Sequence, residues 1–473
     1  MNTAPVATTL ATTLAAALLL AGCSTTRVAP PAPAPAPAAF KEAPAPSRTA
    51  ADAPVPDAWW TLFREPVLDG LQGRLVIGNE TLKADLAAVA AARATYEASR
   101  SALFPTVSAS LGGTRSASPS SGLAVGVANP SNSVSLLASA SWETDLWGRL
   151  AQASSGAQSA LQASRDDLAA ARLSAQALLT QTYFSLRAAD AQLALLARSV
   201  AGYQRSLDLT QARYAGGVAG RTDVLQAQTQ LKTTQAQAAD LIAQRAQLEH
   251  ALAVLLGEPP SALGLPAQAT LPPSPAVPTL LPATLLQRRP DIHAAQQRVA
   301  AAYAQIGVAD AAFFPDLTLS ASAGFRKSSL ANLLSAPNLL CSLGPTLTET
   351  ILDGGQRKLA SAQARASADQ ATASYRQTVL TALQEVEDNL VLAQQLAQEA
   401  QLQAEALQAA QRSLDITLDQ YRAGTVSYLN VVTAQATALN TEINLLSVRN
   451  RQLAAVNQLL KNIAGRWPDG AAG

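Results

Sequence analysis

The chain has 473 residues, 14% of them charged, with a formal net charge of +1. That balance suggests neither nucleic-acid binding nor a polybasic membrane surface. Cys23 and Cys341 sit in unlike contexts and give no disulfide framework or metal spacing; His250 and His293 are the only histidines, so no cofactor, metal or catalytic centre is expected. Aromatics reach only 4%, low for an enzyme core, while Ala, Gln and Leu dominate, a mix suited to long helices packed through small side chains.

In chain order, residues 1–22 read as a lipoprotein signal peptide. Ala11 to Ala21 is an apolar run too short to span a bilayer, and it closes on Leu20-Ala21-Gly22-Cys23, the bacterial lipobox. Cys23 would be acylated and become the first mature residue. The stretch before the apolar run has no Lys or Arg, so the α-amino group is its only charge. Ser24 fits the outer-membrane sorting pattern. Residues 23–57 form the lipidated N-terminus and a tether, whose prolines from Pro30 to Pro56 favour polyproline II geometry and make a semi-rigid spacer. The folded body begins near Trp59-Trp60-Thr61-Leu62-Phe63. Beyond the signal no run of roughly 18 or more residues is uniformly apolar, so no transmembrane helix is expected.

The body divides into two halves, 58–270 and 271–473, with the same order of elements. The first runs through a helix at Leu82–Phe104, alternating segments at Thr106–Leu111 and Ser133–Trp142, a proline-free helix at Leu150–Tyr214, a glycine turn, and a returning helix at Thr222–Leu256. The second has Pro290–Phe314, Asp316–Ala321, Leu339–Leu347, Gln356–Tyr421, a glycine turn and Leu429–Ala464. Each long helix would reach roughly 95–100 Å and each returning helix roughly 50–55 Å. The hairpins repeat without a gap: Tyr214 matches Tyr421, Gly217 matches Gly424 and Gln228 matches Gln435, about 207 residues apart. Phe104-Pro105 is likewise echoed by Phe314-Pro315.

The four alternating segments are separated by Ser/Gly/Asn/Pro-rich loops, Ser116–Asn132 and Lys327–Pro337, and have the length a tilted membrane strand needs. A soluble hairpin would show the same alternation. If the strands enter a membrane, four cannot close a barrel, so copies must share one; three copies give about twelve strands. In the helices, Ala and Leu recur three or four apart with Gln, Ser and Thr between them. This suits a hollow ring of helices, and equally a plain coiled coil.

Taken together, the lipobox, Trp59-Trp60 with Phe63, Arg288-Arg289-Pro290-Asp291-Ile292, the paired Phe-Pro turns, Leu352-Asp353-Gly354-Gly355 and the duplicated Tyr-x-x-Gly hairpins resemble the NodT-like, OprM-like branch of TolC-type outer-membrane efflux proteins. The resemblance covers nearly the whole mature chain. It implies a mainly α fold with a small β part: a TolC-like trimeric α-barrel of long helical hairpins continuing into a shared 12-stranded transmembrane β-barrel, four strands per protomer. It also implies a homotrimer seated in outer-membrane lipid. This would be the exit duct of a tripartite pump, with a periplasmic adaptor and an inner-membrane transporter of the resistance-nodulation-division type, and no chemistry of its own.

Carried over by position, the adaptor-docking tips are Arg213, Tyr214, Gly216, Gly217 and Val218 on the first hairpin and Arg422, Gly424 and Thr425 on the second. The periplasmic gate is implied at Leu429, supported by Asp223, Tyr421 and Thr433; the alternative is that these residues merely pack helices near a turn. Asn430 and Thr433 stand where relatives often carry aspartate, which favours drug-like cargo over metal cations. Glu385, Glu387 and Asp388 form either a solvated face or a pore lining. The rival to the whole reading is a periplasm-spanning tethering lipoprotein without channel activity.

Overall fold

In a computed structural model, residues 29, 40–41, 56–117, 130–275 and 289–463 are described. Cys23, most of the tether, Arg288 and the greater part of the first Ser/Gly-rich loop lie outside the described residues. After a 3₁₀ turn at Trp59–Phe63 come α1 (Pro66–Gly78), α2 (Glu80–Ser101), β1 (Thr106–Ser116), β2 (Ser131–Thr144), α3 (Arg149–Ala215) and α4 (Arg221–Leu255). The second half supplies α5 (Pro290–Ala311), β3 (Asp316–Lys327), β4 (Leu339–Thr348), α6 (Gln356–Ala423) and α7 (Tyr428–Ile463). Each half thus has the expected order, and α3 and α6, at 67 and 68 residues, are uninterrupted. None of the described helices is long and apolar enough to cross a membrane.

Contacts divide the chain into two compact units. One takes in Ala88–Arg165 and Ala294–Arg376, the other Ala34–Ala87, Asp166–His293 and Gln377–Gly473.

The first unit holds an antiparallel sheet of order β1-β2-β3-β4, a meander in which the central pair joins the two halves of the chain. Because side chains alternate across a strand, the register sorts residues into two faces. One face has the ranks Val107–Ala140–Ala321–Leu343, Ala109–Ala138–Ala323–Cys341 and Leu111–Leu136–Phe325–Leu339. The other has Thr106–Ser141–Ser320–Gly344 and Ser108–Ser139–Ser322–Ser342, with the Ser322 and Ser342 hydroxyls 2.9 Å apart. The apolar face is exposed at Leu111, Leu343 and Leu347, so no described residue of one copy covers it there. Both junctions from sheet to long helix use one device. Asp145 accepts hydrogen bonds from the amides of Leu150 and Ala151, and Asp353 from those of Gly355 and Arg357. These carboxylates satisfy donors that a helix N-terminus otherwise leaves open. Arg149 then returns to Glu143 at 2.6 Å and Arg357 to Glu349 at 3.3 Å. Close packing in this unit runs through small residues. A methyl added at Gly156 would meet Ala304 at 3.3 Å, and Ile306 buries against Ala364 and Ala368.

The second unit is built round Trp59, Phe63, Leu68, Tyr183, Phe184, Leu252 and Leu460, all buried. Trp59 Nε1 donates to Asn457 Oδ1 at 3.1 Å, and Asn457 Nδ2 donates to the Ala177 carbonyl at 2.8 Å, so the body's first turn is pinned to α7 and α3. Beside this core lies a buried ion network. Asp190 accepts from Arg187 (3.0 Å), Arg245 (2.7 Å) and the Gln268 amide (3.1 Å), fixing the chain after α4 against α3. Arg289 forks onto Asp291 and reaches Glu385 at 2.8 Å. Glu387 accepts the Lys41 amide at 2.7 Å, next to buried Phe40. Glu385 and Glu387 therefore anchor other chain segments, where sequence offered only solvent or a pore lining, while Asp388 accepts from Gln384 of its own helix.

Candidate functional site

The two hairpin tips fall in the second unit, and each is built by the same local physics. At the end of α3 Gly217 has φ 75°, the Val218 amide donates to the Arg213 carbonyl (2.9 Å) and the Gly217 amide to Tyr214 (3.0 Å). At the end of α6 Gly424 has φ 79°, Thr425 donates to Gln420 (3.0 Å) and Gly424 to Tyr421 (3.0 Å). Both are Schellman caps, which need a left-handed residue and hence glycine. The following helices begin alike, with Asp223 donating its amide to Gly220 and Asn430 to Ser427.

The side chains are less symmetric. Arg213 turns away from solvent toward the second hairpin. Its Nη1 donates to the Tyr421 carbonyl at 2.7 Å and to the Arg422 carbonyl at 3.2 Å, and its guanidinium lies 4.7 Å from the centre of the Tyr421 ring. A cation thus sits on the negative end of α6, where the helix dipole favours it. Tyr421 is buried, packs edge-on against Tyr428 at 5.4 Å, and donates its hydroxyl to Thr210 Oγ1 at 3.5 Å. One turn further in, the Tyr203 hydroxyl donates to the Gln435 carbonyl at 3.2 Å and Gln435 Nε2 to Ser206 Oγ at 3.0 Å. Burial pushes the Tyr428 hydroxyl up to about 12, with smaller contributions from Tyr421, Tyr203 and Asp223.

The remaining candidates point elsewhere. Tyr214 and Val218 are exposed, at 48% and 68%, as is Gly216. Arg422 is exposed and paired with Asp419 at 2.9 Å, and exposed Thr425 folds its hydroxyl back to the Gln420 carbonyl. Leu429 is 55% exposed on the first turn of α7; Thr433, one turn on, donates its hydroxyl to the Leu429 carbonyl at 3.0 Å. Asp223 is half-buried in the first turn of α4. The structure therefore brings Arg213, Tyr421, Tyr428 and Asp223 to one place, and sets Leu429 and Thr433 on an open helix face. Sequence reasoning missed Tyr428, Thr210 and the Tyr203–Gln435–Ser206 set. The one available signal was the Gln228–Gln435 pair, of which only Gln435 is buried.

The sequence pattern of the family described as Outer membrane efflux protein matches residues 73–258 and again 281–465. The toluene efflux pump outer membrane protein TtgF of Pseudomonas putida is 32% identical over 410 residues, covering 86% of this chain and 85% of the relative. The antibiotic efflux pump outer membrane protein ArpC of Pseudomonas putida is 30% identical over 455 residues, with 95% and 94% covered. Among solved structures the outer-membrane channel OprN superimposes with a TM-score of 0.83 at 27% identity, over 93% of this chain and 99% of its own. A two-faced sheet, duplicated helical hairpins and these relationships lead to one conclusion: the chain belongs to the outer membrane efflux protein family and is an outer-membrane efflux channel.

Proposed function

We propose that the chain works as a passive homotrimeric duct, and the observation that carries this is the sheet. A face of Val, Leu, Ala and Phe backed by a face mainly of Ser and Thr, interrupted by Leu137 and Leu340 in one rank, suits lipid on one side and water on the other. Backbone groups along the free edges of β1 and β4 cannot be left open in lipid. Pairing β4 of one copy with β1 of the next satisfies them, and three copies close about twelve strands. The halves 58–270 and 271–473 then contribute equivalent strands and hairpins. Cys23 is the lipid attachment point, with residues 1–22 removed and 23–57 acting as tether.

The exposed tip residues Tyr214, Gly216, Val218, Arg422 and Thr425, carried on the capped turns at Gly217 and Gly424, meet a periplasmic adaptor. An inner-membrane pump of the resistance-nodulation-division type supplies the energy, and no chemical step occurs in the duct. Leu429 forms the periplasmic constriction, with Thr433 on the same face; Tyr421 and Asp223 act behind it, in the hairpin contact. TtgF and ArpC are named for toluene and antibiotic efflux. Small drug-like or solvent-like molecules are the cargo this reading favours over metal cations.

The test is conductance of the purified full-length protein in planar bilayers, with the oligomeric state measured in the same sample. Discrete channels from a trimer are expected. A folded protein that inserts no channels, or conducts as another oligomer, sinks the trimeric duct and returns the tethering lipoprotein.

A further inference from the structure

The apolar face of the sheet ends in cations. At the end of the strands away from the helices, the next ranks on that face are Gly113–Val134–Lys327 and Arg115–Asn132. From residue 106 to 142 and from 317 to 348, both hairpins with their loops, the sequence holds no Asp or Glu and three cations: Arg115, Arg326 and Lys327. Arg115 and Lys327 share the apolar face, while Arg326 stands on the Ser/Thr face, opposite Ser135. Arg115 is exposed and has no ion pair with any described residue; Lys327 Nζ donates to the Ala331 carbonyl at 3.0 Å. The other end of the same face is finished differently, by Trp142, whose Nε1 donates to the Leu103 carbonyl at 2.9 Å.

The spacing between these two ends fits a membrane. From residue 132 to residue 142 β2 rises roughly 34 Å at about 3.4 Å per residue. A strand tilted about 40° projects that to roughly 26 Å, close to the apolar band of an outer-membrane barrel. Trp142 then lies at one interface, where amphipathic rings settle. Arg115 and Lys327 lie at the other, the outer one, because the helices leave from the Trp142 end. Two strand spacings and two residues separate these cations, roughly 12 Å between backbones, within reach of a single doubly phosphorylated headgroup.

We propose that Arg115 and Lys327 form a binding rim for the phosphate groups of outer-leaflet glycolipid, repeated once per copy round the outside of the barrel. The proposal rests on the membrane reading of the sheet given above. The chemistry is cationic donors facing phosphate oxygens at the edge of a low-dielectric band, with no carboxylate nearby to compete. Arg326, at the same height, faces the water-filled side and takes no part.

The experiment titrates the full-length detergent-solubilised protein with lipid A, with dephosphorylated lipid A and with inorganic phosphate, read by native mass spectrometry. Unit conductance in planar bilayers is recorded on the same preparations. Each cation near an anionic headgroup layer is worth about fivefold in affinity. Arg115→Ser with Lys327→Ser should therefore weaken lipid A binding about thirtyfold, while Arg326→Ser leaves it unchanged. Dephosphorylated lipid A should bind the wild type as poorly as lipid A binds the double variant, and free phosphate should displace nothing. Conductance should be normal in all variants. Wild-type lipid A binding by a conducting double variant overturns the rim and leaves the duct standing. An equal loss in Arg326→Ser, or displacement by free phosphate, also overturns it. A wild-type protein that neither conducts nor takes up lipid A overturns both readings.

Discussion

Replacing Arg213 by Met keeps most of the side-chain stem and removes the guanidinium that ties one hairpin tip to the other. Three contributions are lost. A charged donor to the Tyr421 carbonyl at 2.7 Å is worth about 1.5–3 kcal/mol. The contact with the Tyr421 ring adds about 0.5–1 kcal/mol, and the charge at the end of α6 about 0.3–1 kcal/mol. Against them stands the desolvation of Arg213, whose Nε is buried without a partner among the described residues, so the sum is an upper bound. A net loss of about 2 kcal/mol multiplies the population with separated tips about thirtyfold. If tip contact holds the duct shut, resting open probability in planar bilayers should rise by that factor. Arg213→Lys, which retains the charge without the planar fork, should fall between the two. A Met variant that assembles normally and opens no more often than wild type would refute the reasoning, and Arg213 would return to the docking surface assigned from sequence.

On the proposed constriction, Leu429→Ser should raise passive entry of large antibiotics and resting leak while leaving the hairpin core untouched; unchanged leak in a normally assembled variant removes Leu429 from the gate. Asp190→Ala should cost about 3–5 kcal/mol, because it leaves the buried Arg187 without its carboxylate while Arg245 keeps Glu249, and should show as a lowered thermal transition. A drop no larger than that of a surface substitution would contradict the buried network. Tyr428 has its folded pKa raised to about 12 against an ordinary value near 10, so its contribution is complete below about pH 10 and is lost as pH rises toward 12. Tyr428→Phe should move the alkaline transition upward, followed by tyrosinate absorbance and helix content. No movement would place the alkaline loss elsewhere.

The strands were legible in the sequence because period-two alternation survives even where every residue is Ser, Ala or Leu, and the register then separates the faces without further information. The expected starts at Thr106 and Asp316 match β1 and β3, and the long helices fall within two residues of expectation, since Pro and Gly are their only interruptions. The tips were legible through duplication. Direction was not: in helices where Ala recurs at every spacing, no stripe is distinctive enough to say which way a side chain turns. Position in the resemblance placed Tyr421 at a gate and Arg213 at a docking tip; the structure adds that Tyr421 lies buried under Arg213 and that Arg213 reaches back into its own chain. The Asp190 network was invisible for a different reason: Arg187, Arg245 and Gln268 are brought together only by the path of the chain after α4.

The two Schellman turns are copies, but the arginine that bridges them is not. The residue matching Arg213 in the second half is Gln420, exposed and too short of charge to cap a helix across the gap. Attachment therefore runs one way, from the first tip to the second within a chain. Two tips alike in backbone are thus joined at their ends by one side chain that only the first half supplies, and the Tyr421–Thr210 and Tyr203–Gln435 hydrogen bonds continue that joint inward.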